Sequence, residues 1–218
     1  MTKDQVKQRI LEVKIVPVVR ASSPEQALGA ADAVREGGIP IVEVTMTVPG
    51  AIEVIAALTK LMGSEVLIGA GTVLDAATAQ KCLDAGAQFL VSPGFDAETV
   101  ALAKRLGVLI MPGSLTPTEV INSWKAGADF VKIFPCGNVG GPSYIKALKG
   151  PFPQIEMIPT GGVNLKTAGE FLKAGACAVA VGGELVDAAS VAEGRFEVIE
   201  QRAREYLEAI AAARAGQG

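Results

Sequence analysis

Short apolar runs alternate with longer amphipathic stretches along the chain, at intervals of roughly 20–25 residues. The runs are apolar on both faces, which is typical of parallel strands that helices cover on one side and a core covers on the other. The pattern predicts strands at residues 15–20, 39–45, 66–71, 88–92, 108–112, 129–134, 156–159 and 177–181.

Helix start and stop signals fall between these strands. A Ser, Thr or Asp beside Pro or Glu can cap free backbone amides, which marks a helix start. Such starts occur within residues 22–25, 47–49, 92–96 and 116–119. Glycine comes just before four strands, where a left-handed helix end is expected. These ends lie within residues 36–39, 84–87, 125–128 and 173–176.

The repeated strand–helix unit predicts the α/β fold class and one domain spanning residues 1–218. Right-handed crossovers would close eight such units into a (β/α)8 TIM barrel. An open doubly wound sheet is the alternative, but no Gly-x-Gly-x-x-Gly turn follows the first strand. Residues 1–13 predict an extra N-terminal helix at the bottom of the barrel.

Composition narrows the possible functions. The net charge is −3 and no basic stripe is interleaved with aromatics, so no nucleic-acid partner is expected. No apolar run approaches the roughly 20 residues that span a bilayer, and the first residues lack a signal-peptide core. We therefore expect no membrane partner and a cytoplasmic location. The three cysteines are far apart in sequence, which favours buried thiols over disulfides or a zinc cluster.

The chain contains no histidine. Histidine-based triads, histidine-ligated zinc and imidazole acid–base catalysis are therefore excluded. Proton transfer near neutral pH must be carried by a carboxylate, a lysine, a tyrosine or a water that one of them holds.

Lys132 interrupts the apolar sixth strand, with Phe130 and Phe134 on its own face. Burying an ammonium is costly, and the neutral amine that burial favours is the form that attacks a carbonyl. The alternative is a lysine that extends to solvent or forms an ion pair at a strand end.

Glu43 breaks the second strand in the same way, between Val42 and Val44. If both strands direct their charge inward, Glu43 and Lys132 meet at one end of the barrel. Such a pair is either a structural ion pair or an acid–base group facing a nucleophile. We interpret it as catalytic because two strands far apart in sequence each place a charge at the same end.

The predicted strand tips are rich in glycine and hydroxyl residues, which let a ligand approach backbone amides. Thr160, Gly161 and Gly162 follow the seventh strand, and Gly182 and Gly183 follow the eighth. In barrels of this kind the tips of the last two strands commonly bind phosphate.

At this point the sequence resembles a known family across nearly its whole length, the 2-keto-3-deoxy-6-phosphogluconate (KDPG) and 4-hydroxy-2-oxoglutarate (KHG) aldolases. The motifs that carry the resemblance are VEVT (42–45), IGAGTV (68–73), VSPG (91–94), VKIFP (131–135), GP (141–142), IKAL (145–148) and PTGGV (159–163). Their fixed order makes the match specific.

The resemblance implies a class I aldolase that forms an imine between Lys132 and a pyruvyl carbonyl, while Glu43 transfers protons. It places Thr72 on the pyruvate carboxylate. It also implies a small 2-keto acid substrate, no cofactor, no metal and a homotrimer. We assign further substrate contacts to the strand-tip residues Arg20, Pro93, Phe134, Thr160, Gly161, Gly162 and Gly183.

Two positions depart from the family pattern. Thr47 stands where many members have an arginine that holds an anionic end of the substrate, and Arg20 is a plausible substitute. Glu184 stands where phosphate-handling members often have serine. Either Glu184 turns outward and leaves the nearby amides for phosphate, or the aldehyde product is not phosphorylated.

Three hypotheses therefore remain for function. The first is a Schiff-base aldolase that cleaves KDPG to pyruvate and glyceraldehyde 3-phosphate, or KHG to pyruvate and glyoxylate, or both. The second is a phosphate-binding barrel that acts as an isomerase or synthase. The third is a ligand-binding protein without catalysis.

Overall fold

Parallel strands and helices alternate along the chain. The computed structural model describes residues 1–215, so the last three residues of the predicted 1–218 domain lie outside the described residues. The strands are β1 (Ile15–Val19), β2 (Ile41–Thr45), β3 (Leu67–Gly71), β4 (Phe89–Val91), β5 (Leu109–Met111), β6 (Gly113–Ser114), β7 (Val131–Ile133), β8 (Met157–Pro159) and β9 (Val179–Val181). The helices are α1 (Lys3–Val13), α2 (Pro24–Glu36), α3 (Ala51–Met62), α4 (Ala76–Asp84), α5 (Ala97–Leu106), α6 (Pro117–Ala126), α7 (Pro142–Lys149), α8 (Thr167–Lys173), α9 (Ala188–Ala192) and α10 (Phe196–Ala215).

Every predicted strand contains an observed strand, which in each case is shorter by one or more residues. Every residue of β1, β2 and β3 is buried, which explains why their sequence is apolar on both faces. The fifth predicted strand differs most: β5 ends before Pro112, and an additional short strand that was not predicted, β6, follows it. Proline has no amide hydrogen, so it interrupts a hydrogen-bonded ladder.

The strands form a curled parallel sheet in a mixed α/β, TIM-barrel-like fold. One run of pairing has the order β5-β4-β3-β2-β1-β9, and a second has the order β6-β7-β8. The two runs meet at two places. Thr160, just after β8, bridges to Ala180 in β9. The Lys132 amide donates a hydrogen bond of 3.0 Å to the Pro112 carbonyl, between β5 and β6.

Three of the four predicted helix starts are confirmed by their caps. Ser23, Asp96 and Thr116 each accept a hydrogen bond from a backbone amide in the first turn of α2, α5 and α6. The start predicted at residues 47–49 is wrong. Helix α3 begins after Gly50, whose φ of 65° places it in the left-handed region, and no side chain caps it. The predicted glycine helix ends are confirmed, since Gly86, for example, has a φ of 101° before β4.

Helix α1 contacts β5, and its Val6 and Ile10 are buried. Lys3 forms a 2.7 Å ion pair with Asp129, which precedes β7. All three cysteines are buried free thiols, as predicted. No helix within residues 1–215 is long and apolar enough to cross a membrane.

Candidate active site

Lys132 lies in the middle of β7 and is 5% exposed. The register pairs it with Gly113 on β6 and with Ile158 on β8, so apolar or side-chain-free positions flank it on both sides. Its Nζ lies 5.2 Å from the centre of the Phe134 ring. A lysine that extends to solvent is therefore excluded, and the amine is held in a largely apolar setting.

Glu43 lies in β2 and is 1% exposed. Burial raises the pKa of its carboxyl, and the positive charges of Lys132 and Arg20 oppose that rise. Lys132 and Glu43, the two residues that the sequence predicts as a pair, are thus both buried, and the charges of Lys132 and Arg20 both act on the Glu43 carboxyl.

One oxygen of the buried Glu43 carboxylate, Oε1, accepts no hydrogen bond from any group in the described chain. It lies directly over Gly71, where an added Cβ would stand 1.9 Å from it. Only glycine leaves room for the carboxylate at this position. An unbonded buried acceptor is costly, and active sites are a common place for one, because the substrate or a water supplies the partner.

Thr72 follows Gly71 with a φ of 57°. A β-branched residue in the left-handed region is strained, and such strain concentrates at functional sites. The backbone therefore turns sharply just beyond Glu43's neighbour Gly71. This turn brings the predicted carboxylate-binding residue Thr72 to the tip of β3.

A cleft of about 190 Å³ opens at the tips of β1, β8 and β9. The predicted substrate-binding residues that line it are Arg20, Phe134, Thr160, Gly161, Gly162 and Gly183. Thr160 is buried, and its Oγ1 has no hydrogen-bond partner in residues 1–215. The amides of Gly162 and Gly183 likewise donate no hydrogen bond within the described chain. The cleft therefore offers several free donors to an anion.

Pro93 lies apart from that cleft. It lines a second cleft of about 330 Å³, together with Gly113, Ser114 and Phe134. Phe134 borders both clefts, so its ring separates them. Ser114 and the neighbouring Leu115 also line this cleft, although no sequence motif marks them as site residues. The sequence feature that indicates this part of the site is Pro112, after which the chain forms the short strand β6.

The two residues that depart from the family pattern are both exposed. Thr47 lies 2.7 Å from Thr45, hydroxyl to hydroxyl. Thr45 in turn donates a 3.2 Å hydrogen bond to the Val19 carbonyl. Since a hydroxyl has one proton, Thr47 is the donor to Thr45. Glu184 lines the 190 Å³ cleft and also borders a neighbouring cavity.

A cavity of about 530 Å³, larger than either cleft, lies between α2 and α3 and contains none of these residues. Its size does not make it the reactive centre, since the buried charges lie elsewhere. Within residues 1–215 no cluster of three Cys, Asp or Glu side chains has the arrangement of a metal site.

Comparison with known proteins decides the family. Residues 6–202 match the family described as KDPG and KHG aldolase. The chain belongs to this family. The 2-dehydro-3-deoxy-phosphogluconate aldolase of Treponema pallidum is 36% identical over 91% of this chain and 94% of its own length. The KHG/KDPG aldolase of Escherichia coli K12 is 32% identical over 89% of this chain and 91% of its own.

A solved structure agrees with this assignment. The KDPG aldolase of Legionella pneumophila, with pyruvate captured as a covalent carbinolamine intermediate, has a TM-score of 0.85 and 30% identity. The match covers 92% of this chain and 97% of that one. The protein is therefore an aldolase, a carbon–carbon lyase. The isomerase or synthase hypothesis and the non-catalytic hypothesis are set aside.

We predict that Gly71→Ala reduces kcat/KM of the aldolase by about a hundredfold, because a displacement of about 1 Å at a catalytic group has effects of that size. The new Cβ would occupy the position of Glu43 Oε1 and displace the carboxylate. Gly150→Ala is the matched control, since its Cβ meets only the Ala147 carbonyl at 3.4 Å. Equal activity of the two variants would contradict this account of Gly71.

We also predict that Glu43→Gln raises the free energy of unfolding at about pH 8, and that this gain shrinks towards pH 4. The folded carboxyl has a raised pKa, whereas its ordinary value is about 4.5. Between these two values the folded state binds more protons than the unfolded state, so wild-type stability falls as pH rises. Glutamine removes this dependence. Urea unfolding of both proteins across this range is the measurement, and parallel pH profiles would refute the prediction.

Proposed function

We propose that this aldolase reversibly cleaves KDPG to pyruvate and glyceraldehyde 3-phosphate through a Schiff base on Lys132. The observation that carries the proposal is a buried lysine in an apolar strand whose charge acts on a buried glutamate. That pairing supplies both a nucleophile and a proton carrier in a chain without histidine.

The chemistry follows from these two groups. The neutral Lys132 amine adds to the C2 ketone and gives a carbinolamine, which loses water to form a protonated imine. Glu43 removes the C4 hydroxyl proton, the C3–C4 bond breaks, and its electron pair moves into the imine to give an enamine. The aldehyde leaves. Glu43 then returns the proton to C3, and hydrolysis releases pyruvate and the free amine.

The remaining predicted residues have binding roles in this proposal. Thr72 holds the pyruvate carboxylate, and Arg20 contributes a positive charge near it. Phe134 and Pro93 shape the apolar walls on either side of the imine. Because the protonated imine is itself the electron sink, the mechanism requires no metal and no cofactor.

The phosphate end of KDPG belongs in the 190 Å³ cleft. Support comes from the unbonded Thr160 hydroxyl and from the free amides of Gly162 and Gly183. Backbone amides of this kind are well suited to bind phosphate oxygens.

KHG is the second candidate substrate, alone or in a bifunctional enzyme. Two observations favour it: Glu184 places a negative charge beside the proposed phosphate site, and a relative 32% identical is named KHG/KDPG aldolase. KHG yields glyoxylate and carries no phosphate, so the position of Glu184 would matter less to it.

We further propose a closed (β/α)8 barrel over one domain, with α1 as its extra N-terminal helix. The contacts of β8 with β9 and of β7 with Pro112 support closure, and the Lys3–Asp129 ion pair supports the place of α1. A homotrimer is proposed on the family resemblance alone. The cytoplasmic location stays a prediction from the sequence.

We expect borohydride reduction with pyruvate to add a pyruvyl group to Lys132, detectable by peptide mass spectrometry, and to inactivate the enzyme. Lys132→Met should form no adduct and show no cleavage, whereas the exposed Lys125→Met should behave as wild type. EDTA should have no effect. Adduct formation on another lysine, or activity lost to EDTA, would refute the mechanism.

The preferred substrate is tested by comparing kcat/KM for KDPG and KHG, since specificity is a ratio of these values. If the cleft binds phosphate, the value for KDPG should exceed that for KHG by tenfold or more, about the contribution of one charge-assisted hydrogen bond. A ratio near or below one would identify KHG as the preferred substrate.

A further inference from the structure

Another cavity, distinct from the two clefts and from the cavity between α2 and α3, adjoins the proposed phosphate cleft. It has a volume of about 390 Å³ and is lined by Asn164, Leu165, Lys166, Glu184, Arg202 and Tyr206. Glu184 is the one residue that lines both spaces. Its side chain therefore stands on the wall between the cleft and this cavity, which we call the Tyr206 cavity.

Tyr206 lines this cavity, and its hydroxyl has no hydrogen-bond partner in the described residues. The residue lies in α10 and is fully buried, and its hydroxyl makes no hydrogen bond with any group of residues 1–215. Buried hydroxyls are nearly always bonded, because leaving one unbonded costs free energy. Burial raises the pKa of Tyr206, and the nearby charge of Glu184 raises it further. The hydroxyl is thus a donor with a carboxylate close by.

Two cations border the same cavity. Lys166 takes part in no ion pair in the described part of the chain. Arg202 bonds Asp187 through one nitrogen, Nη1, at 2.6 Å, which leaves other guanidinium donors unused. The Asn164 oxygen is already occupied by two backbone amides. The cavity therefore has unused hydrogen-bond donors. The carboxylate of Glu184, which also lines the cavity, can accept hydrogen bonds from them.

The Glu184 side chain is able to turn, although its backbone is held. Leu185 and Val186 are buried, and both of their amides bond the Gly182 carbonyl at 2.9 Å. Glu184 itself is exposed, and its carboxylate makes no hydrogen bond or ion pair within the described residues. A change of side-chain rotamer is enough to move the charge from the cleft to the Tyr206 cavity.

We propose that Tyr206, Lys166 and Arg202 are positioning residues that hold the Glu184 carboxylate in the Tyr206 cavity, so that the cleft accepts a phosphorylated substrate. A carboxylate left in the cleft would repel the phosphate dianion at close range. Held in the cavity, it bonds the buried hydroxyl and leaves Thr160 and the glycine amides to the phosphate. The proposal rests on the proposed function, because it concerns the phosphate end of KDPG.

The decisive variant is Tyr206→Phe, which keeps the ring and removes only the hydroxyl. We expect its KM for KDPG to rise about tenfold, the size of one hydrogen bond to a charged group. Its kcat for KDPG and both constants for KHG should stay within about twofold of wild type. A purely structural role of Tyr206 would instead change the constants for both substrates, and that result would overturn the proposal.

A second substitution that removes the charge of Glu184 should reverse the effect of Tyr206→Phe on the KM for KDPG. Tyr206→Phe combined with Glu184→Gln should return the KM for KDPG to near the wild-type value, because no carboxylate then enters the cleft. Glu193→Gln is the matched control in the same background. It removes an exposed carboxylate that pairs with Arg195 and lines neither space, and it should rescue nothing. Failure of the Glu184→Gln rescue would overturn the proposal.

Glu184→Gln alone should leave the KM for KDPG within about twofold of wild type, since the carboxylate is already outside the cleft. A large fall in that KM would show that Glu184 occupies the cleft in the native enzyme, which overturns the proposal.

Borohydride trapping of the wild-type enzyme with pyruvate distinguishes failure of the proposed function from failure of the proposed role of Tyr206. An adduct on Lys132 with KDPG cleavage, but no effect of Tyr206→Phe, refutes only the role of Tyr206. No adduct refutes both.

Discussion

Two opposite charges buried among apolar strands are the constraint on which the rest of this structure depends. Lys132 and Glu43 are 5% and 1% exposed, and each alone would be costly to bury. They are tolerated because each offsets part of the other's cost. The surrounding sheet is arranged around that need: Gly71 leaves space for the carboxylate, and Gly113 presents no side chain beside the lysine. In the proposed mechanism, the imine-forming chemistry uses the same two groups.

The residues proposed to bind substrate fall into two groups around this pair. Next to it are Arg20, whose charge acts on Glu43, and Phe134, whose ring lies near the lysine amine. Farther out, the tips of β8 and β9 supply unbonded donors and little negative charge apart from Glu184. Pyruvate-forming chemistry and recognition of the rest of the substrate therefore occupy different elements. Substitutions at the cleft can change the preferred aldehyde without changing the reacting groups.

Much of the fold and the centre of the site could be predicted from the sequence. Buried parallel strands leave continuous apolar runs, so all eight runs were identified, and the charges of Lys132 and Glu43 stood out against them. The start of α3 was missed because the left-handed Gly50 takes the place of a side-chain cap, and residues 47–49 resemble one. The strained backbone of Thr72 and the cavity of Tyr206 have no local signal. Both arise from tertiary contacts between distant segments.

The unbonded oxygen of Glu43 has a consequence for the protein's behaviour beyond catalysis. In the folded chain, the buried Glu43 oxygen and the donors at the cleft lack hydrogen-bond partners. Any substrate that supplies those partners binds the folded chain and not the unfolded one, and so shifts the folding equilibrium towards the native state. The concentration of the 2-keto acid substrate would then affect the fraction of the aldolase that is folded, as well as the rate of catalysis.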